Sequence, residues 1–267
     1  GMSTQLELSP LYSSSKGNST LLSINDTYSL VDCGMSCKKI NEALTSVDVC
    51  ADDIAAVFLT HCHSDHISGM EVFAKKYHTD VYATEGTLRA LPNLGDFTRV
   101  NVISENDIVN IGTDIEVRSF PTPHDATGSV CYKIMNKRNG MSASVMTDLG
   151  CFSDGMKGFA GGSDIVLLES NYDCKMLRNG PYPYSLQQRI SAGHGHISNE
   201  ECARSADSLI RLGSRRFVLG HLSPNNNTEE LAITSFVDYL GSREYVRNRD
   251  YEVQVASKIH PSEGYSL

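Results

Sequence analysis

No stretch of this chain is long and apolar enough to span a membrane, and its first residues lack the basic-then-apolar pattern of an export signal. Those absences argue against a membrane protein and make the cytoplasm the expected compartment. A Cys-x-x-Cys pair is missing too. The eight cysteines are scattered, and Cys33 and Cys37, the nearest pair, have no second pair at zinc-ribbon spacing. In a cytoplasmic chain they read as small hydrophobes kept reduced. Positive charge is scarce: 23 Lys and Arg face 32 Asp and Glu, a net charge of −9. This argues against broad adhesion to nucleic acid through a basic surface, yet leaves room for a nuclease whose positive charge gathers around bound cations. Internal repeats, coiled-coil heptads and low-complexity linkers are also absent.

What remains is an ordinary globular composition, 40% hydrophobic and 21% charged over 267 residues. That length suits one large domain over residues 2–267, Gly1 ahead of Met2 resembling a tag remnant. Short strands are expected at Leu6–Leu11, Ser19–Ile24 and Tyr28–Val31, with Lys16-Gly17-Asn18 and Asn25-Asp26 as turns. Further strands are expected at Ile54–Leu59, Asp80–Ala83, Val100–Ile103, Ile108–Asn110, Ile115–Phe120, Val130–Ile134, Ser142–Met146, Ile165–Leu168, Phe217–Leu219 and Tyr251–Val255. Helices are expected at Ser36–Leu44, His66–Tyr77, from the Ser198-Asn199-Glu200-Glu201 capping box to Leu212, and at Glu229–Leu240. Two sheets packed face to face with helices outside fit this order.

The chemistry concentrates in His61-Cys62-His63-Ser64-Asp65-His66, directly after an apolar strand. Imidazole and carboxylate are ligands for divalent transition metals. Strand spacing would turn His61 and His63 to one face, while Asp65 and His66 begin a helix and reach a second position. One ion cannot comfortably use all four groups; two adjacent ions can. Four more polar residues each follow or adjoin an expected element: His124 after Pro121-Thr122-Pro123, Asp148 after Ser142–Met146, His196 ahead of the capping box, and His221 after Phe217–Leu219. Each alone reads as a turn residue or a satisfied polar group. Together with the cluster they outline a metal site.

His61-x-His63-x-Asp65-His66 followed by His124, Asp148 and His221 resembles the motif series of the metallo-β-lactamase fold, across nearly the whole chain. The segments Ser13–Ser19, Asp32–Lys39, Glu169–Asp173 and Gly180–Leu186 resemble its WalJ (YycJ)-like subgroup, although Tyr172 stands where a His is expected in close relatives. The resemblance implies an α/β fold, a four-layer αββα sandwich. It also implies a 5′-to-3′ exonuclease acting on nucleic acid, with DNA as the expected substrate; no obligate protein partner is inferred from the sequence. By the same resemblance His61, His63 and His124 hold one divalent ion, Asp65, His66 and His221 the other, and Asp148 bridges them. Zinc or manganese suits that donor set, and iron is admissible. Two ions about 3.5–4 Å apart lower the pKa of a shared water and clamp the attacking and leaving oxygens of a phosphodiester.

His196 lies at a helix N-terminus, where anions are favoured, and can touch a phosphate oxygen or protonate a leaving 3′-oxygen. In nucleases of this fold a His upstream of the last ligand has that role. The plainer alternative is that His196 helps cap the helix. Asp65 and His196 are therefore the expected catalytic residues, and His196, Ser198 and Asn171 the expected substrate contacts. Tyr182 and Tyr184, in Pro181-Tyr182-Pro183-Tyr184, could stack on a base or simply form a rigid turn. Lys16, Arg178, Arg189 and Arg204 could touch a strand's backbone, though ordinary solvated surface roles suit each better.

Within the family, Asp148 argues against a true β-lactamase, where that slot resembles a Cys, and His63 argues against oxygen-reducing relatives with Glu there. Too few residues separate Asp148 from His221 for the large inserted domain of RNase J-like nucleases, and no basic Gly-rich arm of the RNase Z kind is evident. The competing enzyme class is a small-molecule hydrolase acting on a thioester, lactone or cyclic phosphodiester, as glyoxalase II and related enzymes do. A metal-binding scaffold without catalysis is a third reading, disfavoured by the intact ligand set.

Overall fold

The structure, a computed structural model, describes residues 5–191, 195–256 and 265–266. They gather into two compact units. One comprises the described residues up to Pro121, Ala126–Met141 and the strand at 265–266; the other comprises Thr122–Asp125 and the described residues between 142 and 256. No helix among them is long and apolar enough to cross a membrane.

In the first unit, β1 (Glu7–Ser13), β2 (Asn18–Ile24) and β3 (Thr27–Val31) form an antiparallel meander. The β2–β3 hairpin turns on Asn25 and Asp26, both in the left-handed region at φ 50° and 64°, as a two-residue turn requires. Parallel strands β4 (Ile54–Phe58), β5 (Asp80–Thr84) and β6 (Val100–Ile103) extend the sheet from β3. Its crossovers carry α1 (Cys37–Ser46), α2 (Ser64–Ile67), α3 (Met70–Tyr77) and α4 (Glu85–Leu88). Apolar faces of α1 and α3, including Ile40, Leu44, Met70 and Phe73, pack with Leu30, Val57 and Val81 in one core.

The same unit contains a second meander, β7 (Ile108–Ile111), β8 (Ile115–Pro121) and β9 (Val130–Asn136). Here apolar residues alternate, and Tyr132 reaches from β9 to place its ring 5.4 Å from Phe58 while its hydroxyl donates to Leu59 O. A final short strand at Tyr265–Ser266 pairs with β1.

In the second unit β10 (Ser142–Met146), β11 (Ile165–Glu169), β12 (Arg216–Gly220) and β13 (Glu252–Val255) run parallel. β10 and β11 are both buried throughout, which explains the continuous apolar run Ile165–Leu168 in β11; the strand at 265–266 is β14. The helices are α5 (Asp154–Ala160), α6 (Cys174–Asn179), α7 (Tyr184–Arg189), α8 (Asn199–Arg211) and α9 (Glu229–Ser242). Phe236 of α9 joins Phe217 and Tyr251 in an aromatic core, at 5.5 and 5.6 Å between ring centres.

Two expected elements differ. The helix anticipated over His66–Tyr77 is two helices, α2 and α3, parted at Ser68 and Gly69. Gly69 sits so close to Met35 that a Cβ would lie 1.9 Å from its carbonyl oxygen, and Gly69 N donates to Cys33 O. Tertiary contact, not propensity, breaks the helix there. The strand before the His cluster also ends at Phe58, so His61 and His63 lie in the following loop rather than on the strand.

Candidate metal centre

Polar side chains of the motif series sit just beyond the carboxyl ends of strands, where open α/β sheets present functional groups. In the first unit, the loop after β4 carries His61 and His63, and α2 carries Asp65 and His66. The ring of His61 is 4.7 Å from that of His63 and 4.1 Å from that of His66; Asp65 Oδ2 is 3.3 Å from His66 Nε2. Asp32, just past β3 and held at φ 67°, organises them. Its Oδ1 accepts from Thr60 N at 2.8 Å, and its Oδ2 accepts from Thr60 Oγ1 at 2.8 Å and His66 Nδ1 at 2.6 Å. Burial pushes the Asp32 carboxyl pKa up, against the pull of His66 and the Thr60 donors.

Thr60 donates its hydroxyl proton to Asp32, so its oxygen accepts from His61 Nδ1, 2.8 Å away. Both imidazoles are thereby fixed with the proton on Nδ1 and the lone pair on Nε2, the form a metal-binding His takes when its other nitrogen is held by a carboxylate or hydroxyl. Asn18 Nδ2 lies 3.2 Å from Asp65 Oδ2 and 3.3 Å from His66 Nε2, orienting both. The cradle is tight at Gly34, where a Cβ would lie 1.8 Å from Asp65 O.

In the second unit, Asp148 follows β10, Glu169 ends β11 and His221 follows β12. Asp148 and His221 both stand in the left-handed region at φ 56°, a conformation that packing must hold for non-glycine residues. Asp148 Oδ1 lies 3.5 Å from His221 Nε2, 3.7 Å from His196 Nδ1 and 3.9 Å from His124 Nε2. Pro123 O, accepting from Gly150 N at 2.7 Å, ties the His124 turn to the Asp148 loop, and His124 Nδ1 is 3.3 Å from Gly195 O. Asp148, Glu169, His196 and His221 can each point a ligand atom within 4.8 Å of the others.

Glu169 was not among the residues the sequence singled out for a role. Fully buried, it accepts from the amides of Asp148 (3.2 Å), Leu149 (3.0 Å) and Ile197 (3.1 Å), and from His196 Nδ1 (2.9 Å); His221 Nδ1 is 3.3 Å away. Burial disfavours its charge, but the two imidazoles outweigh that and hold its carboxyl below the ordinary range. Conversely, burial lowers the His196 pKa while Glu169 and Asp148 raise it, leaving it above the usual imidazole value. The missed signal was a Glu ending a wholly apolar strand. Asp32 carried a weaker signal, an acid after the mixed strand β3, and Asn18 carried none.

Asn171 is buried and donates to His221 O at 2.7 Å. Ser198 is buried too, and its hydroxyl caps α8 by accepting from Glu201 N at 3.1 Å. His196 itself is partly exposed, its Nδ1 on Glu169 rather than on the helix end. Neutral imidazoles of fixed tautomer and buried carboxylates are the donors that zinc or manganese prefers, and the clusters of His, Asp and Glu are consistent with a binuclear metal site.

A family model described as the Beta-lactamase superfamily domain matches residues 27–222. The chain is 38% identical over 251 residues to the exodeoxyribonuclease WalJ of Streptococcus pneumoniae, covering 91% of each. It is 36% identical to the exodeoxyribonuclease YycJ of Bacillus anthracis, covering 93% of this chain and 94% of that one. Among solved structures, the metallo-β-lactamase fold protein YhfI from Bacillus subtilis superposes with a TM-score of 0.73 at 17% identity over 98% of both chains, a likeness of fold.

Proposed function

The chain belongs to the β-lactamase superfamily, as a homologue of the WalJ and YycJ exonucleases, and on that premise we propose that it is a 5′-to-3′ exodeoxyribonuclease using two divalent metal ions. Metal-dependent hydrolysis is the chemistry of the fold and of the ligand clusters; the DNA substrate and the polarity are the proposal. The observation that carries the substrate class is His196, a partly exposed imidazole beside Asp148 and held through Nδ1 by the buried Glu169 carboxylate. A proton donor of that kind suits a poor leaving group such as a 3′-alkoxide. The likeness to two exodeoxyribonucleases over nine-tenths of the chain supports DNA as the polymer.

His61, His63 and His124 would hold one ion and Asp65, His66 and His221 the other, with Asp148 shared, following the family motif. Zinc or manganese ions in that set would acidify a water and polarise the phosphate oxygens. The protein's own groups do the rest. Glu169 fixes the proton of His196 on Nδ1 when the ring is neutral and stabilises the imidazolium when it is charged, so that Nε2 delivers a proton to the departing 3′-oxygen. Asp65, steadied by Asn18, is assigned to take the proton of the attacking water. Asn171 and Ser198, expected to touch substrate, are buried and are assigned supporting roles instead: Asn171 holds the His221 backbone and Ser198 caps α8 behind His196. The eight free cysteines accord with a cytoplasmic setting for this reaction.

The deciding assay offers 5′-labelled duplex DNA, single-stranded DNA, RNA and S-lactoylglutathione with Zn²⁺ or Mn²⁺. Release of labelled mononucleotide from DNA is expected. Thioester turnover without any nuclease activity would replace this reading with a small-molecule hydrolase.

A further inference from the structure

A cavity of about 510 Å³ opens in the second unit, lined by Tyr172, Cys174, Arg178, Tyr184, Gln187 and Gln188. That volume lies within the range of small-ligand sites. Its walls offer aromatic faces, two amides able to meet base edges, and a guanidinium able to meet a phosphate. Tyr184 is the informative residue. It opens α7, a helix with no buried residue, and is itself 74% exposed. A large ring standing in solvent on a Pro-stiffened turn serves no packing purpose. Tyr182, by contrast, is engaged: its hydroxyl accepts from Asn225 Nδ2 at 3.1 Å and its carbonyl accepts from Gln187 Nε2 at 2.8 Å, which seats Gln187.

One wall of the cavity is hydrogen-bonded to the segment that carries His196. Tyr172, nearly buried, forms one wall; Asn199 N donates to Tyr172 O at 2.8 Å, and Asn171 N donates to Ile197 O at 3.1 Å. The segment carrying His196 is thus stitched to the segment carrying Tyr172. Burial and Glu200 push the Cys174 thiol up to about 11, so this wall stays uncharged at neutral pH. Arg189 is occupied by Asp125 at 2.6 Å, which leaves Arg178 as the cation of the cavity wall.

We propose that this cavity is a base subsite: it holds the 5′-terminal base of the substrate strand stacked on Tyr184, with Arg178 against a neighbouring phosphate. The proposal rests on the DNA-hydrolase reading above and names where that substrate is gripped. Stacking on tyrosine tolerates every base, as an exonuclease without sequence preference requires.

The test measures KM and kcat with Mn²⁺ on 5′-phosphorylated single strands bearing either a normal or an abasic 5′-terminal nucleotide, for wild type, Tyr184→Ala and Tyr184→Phe. Loss of the base is expected to raise wild-type KM about tenfold, the effect of one stacked base. Tyr184→Ala should show that raised KM already on normal DNA, with no further change on the abasic strand, and Tyr184→Phe should behave as wild type. An abasic penalty equal in wild type and Tyr184→Ala, or an unchanged KM in Tyr184→Ala, overturns the subsite alone. A wild-type protein that degrades no DNA overturns the hydrolase reading and the subsite together.

Discussion

At Glu169 a single carboxylate takes donors from three backbone amides and His196, with His221 alongside. Glu169→Gln keeps the shape but turns an N–H₂ toward groups that are themselves donors, and such unmet buried donors cost about 1–3 kcal/mol. Urea unfolding should therefore show a loss of roughly 2 kcal/mol, and turnover should drop with it; a variant with wild-type stability would mean the carboxylate is not a hub. His196→Ala separates catalysis from ligation. Its turnover should fall by about 10²–10⁴, the usual worth of a positioned acid, while metal content by plasma mass spectrometry stays at the wild-type ratio. Undiminished turnover would retire His196 from the mechanism. Legibility at this level followed clustering. His61, His63, Asp65 and His66 announced themselves by density, and His124, Asp148, His196 and His221 by their order after elements. Glu169 and Asp32 did not, because each is one acid at the end of a strand, and only burial and its partners reveal a role.

Glycine geometry decides how the ligand loop is held. Gly34 passes so close to the start of α2 that a Cβ would sit 1.8 Å from Asp65 O and 2.8 Å from His66 Cα, both on rigid backbone. Gly34→Ala should cost about 3 kcal/mol or more and displace Asp65 and His66, seen as reduced stability with weakened metal binding. Gly158→Ala is the matched control: it lies in α5 with nothing within 4 Å of the new methyl, and should be neutral or stabilising by up to about 1 kcal/mol. If both variants unfold alike, the close-approach account fails. Ser198→Ala removes the cap of α8 and should lower stability by about 1 kcal/mol in denaturant titration, with bound metal unchanged. Strand positions and the long helices α8 and α9 were legible from period and caps. Short helices were not: α7 buries nothing and α6 only Leu177, so neither shows a periodic face. The break between α2 and α3 was illegible for the opposite reason, a distant contact with Met35 that local pattern does not carry.

Taken whole, the chain is acidic, at −9, yet is assigned a polyanionic substrate. Long-range attraction from its surface cannot recruit DNA, so affinity must come from the metal centre and a few local contacts such as Arg178 and Tyr184. The same economy ties metal to stability. His and Asp side chains are gathered and buried around positions that the ions would neutralise, so ions bind the folded chain and not the unfolded one. At a free concentration about 100 times Kd, one such site adds about 2.7 kcal/mol. For a chain of this size each kcal/mol moves Tm by roughly 2–4 °C. Chelation should therefore lower Tm by at least about 5 °C, abolish nuclease activity, and weaken binding of a labelled oligonucleotide in the same titration. Adding Zn²⁺ or Mn²⁺ back should restore all three. Activity lost without any Tm shift would mean that the ions sit with the substrate rather than in the protein. Tm, activity and binding all unmoved by a chelator would remove metal from the chemistry, and with it the reason these histidines stand together.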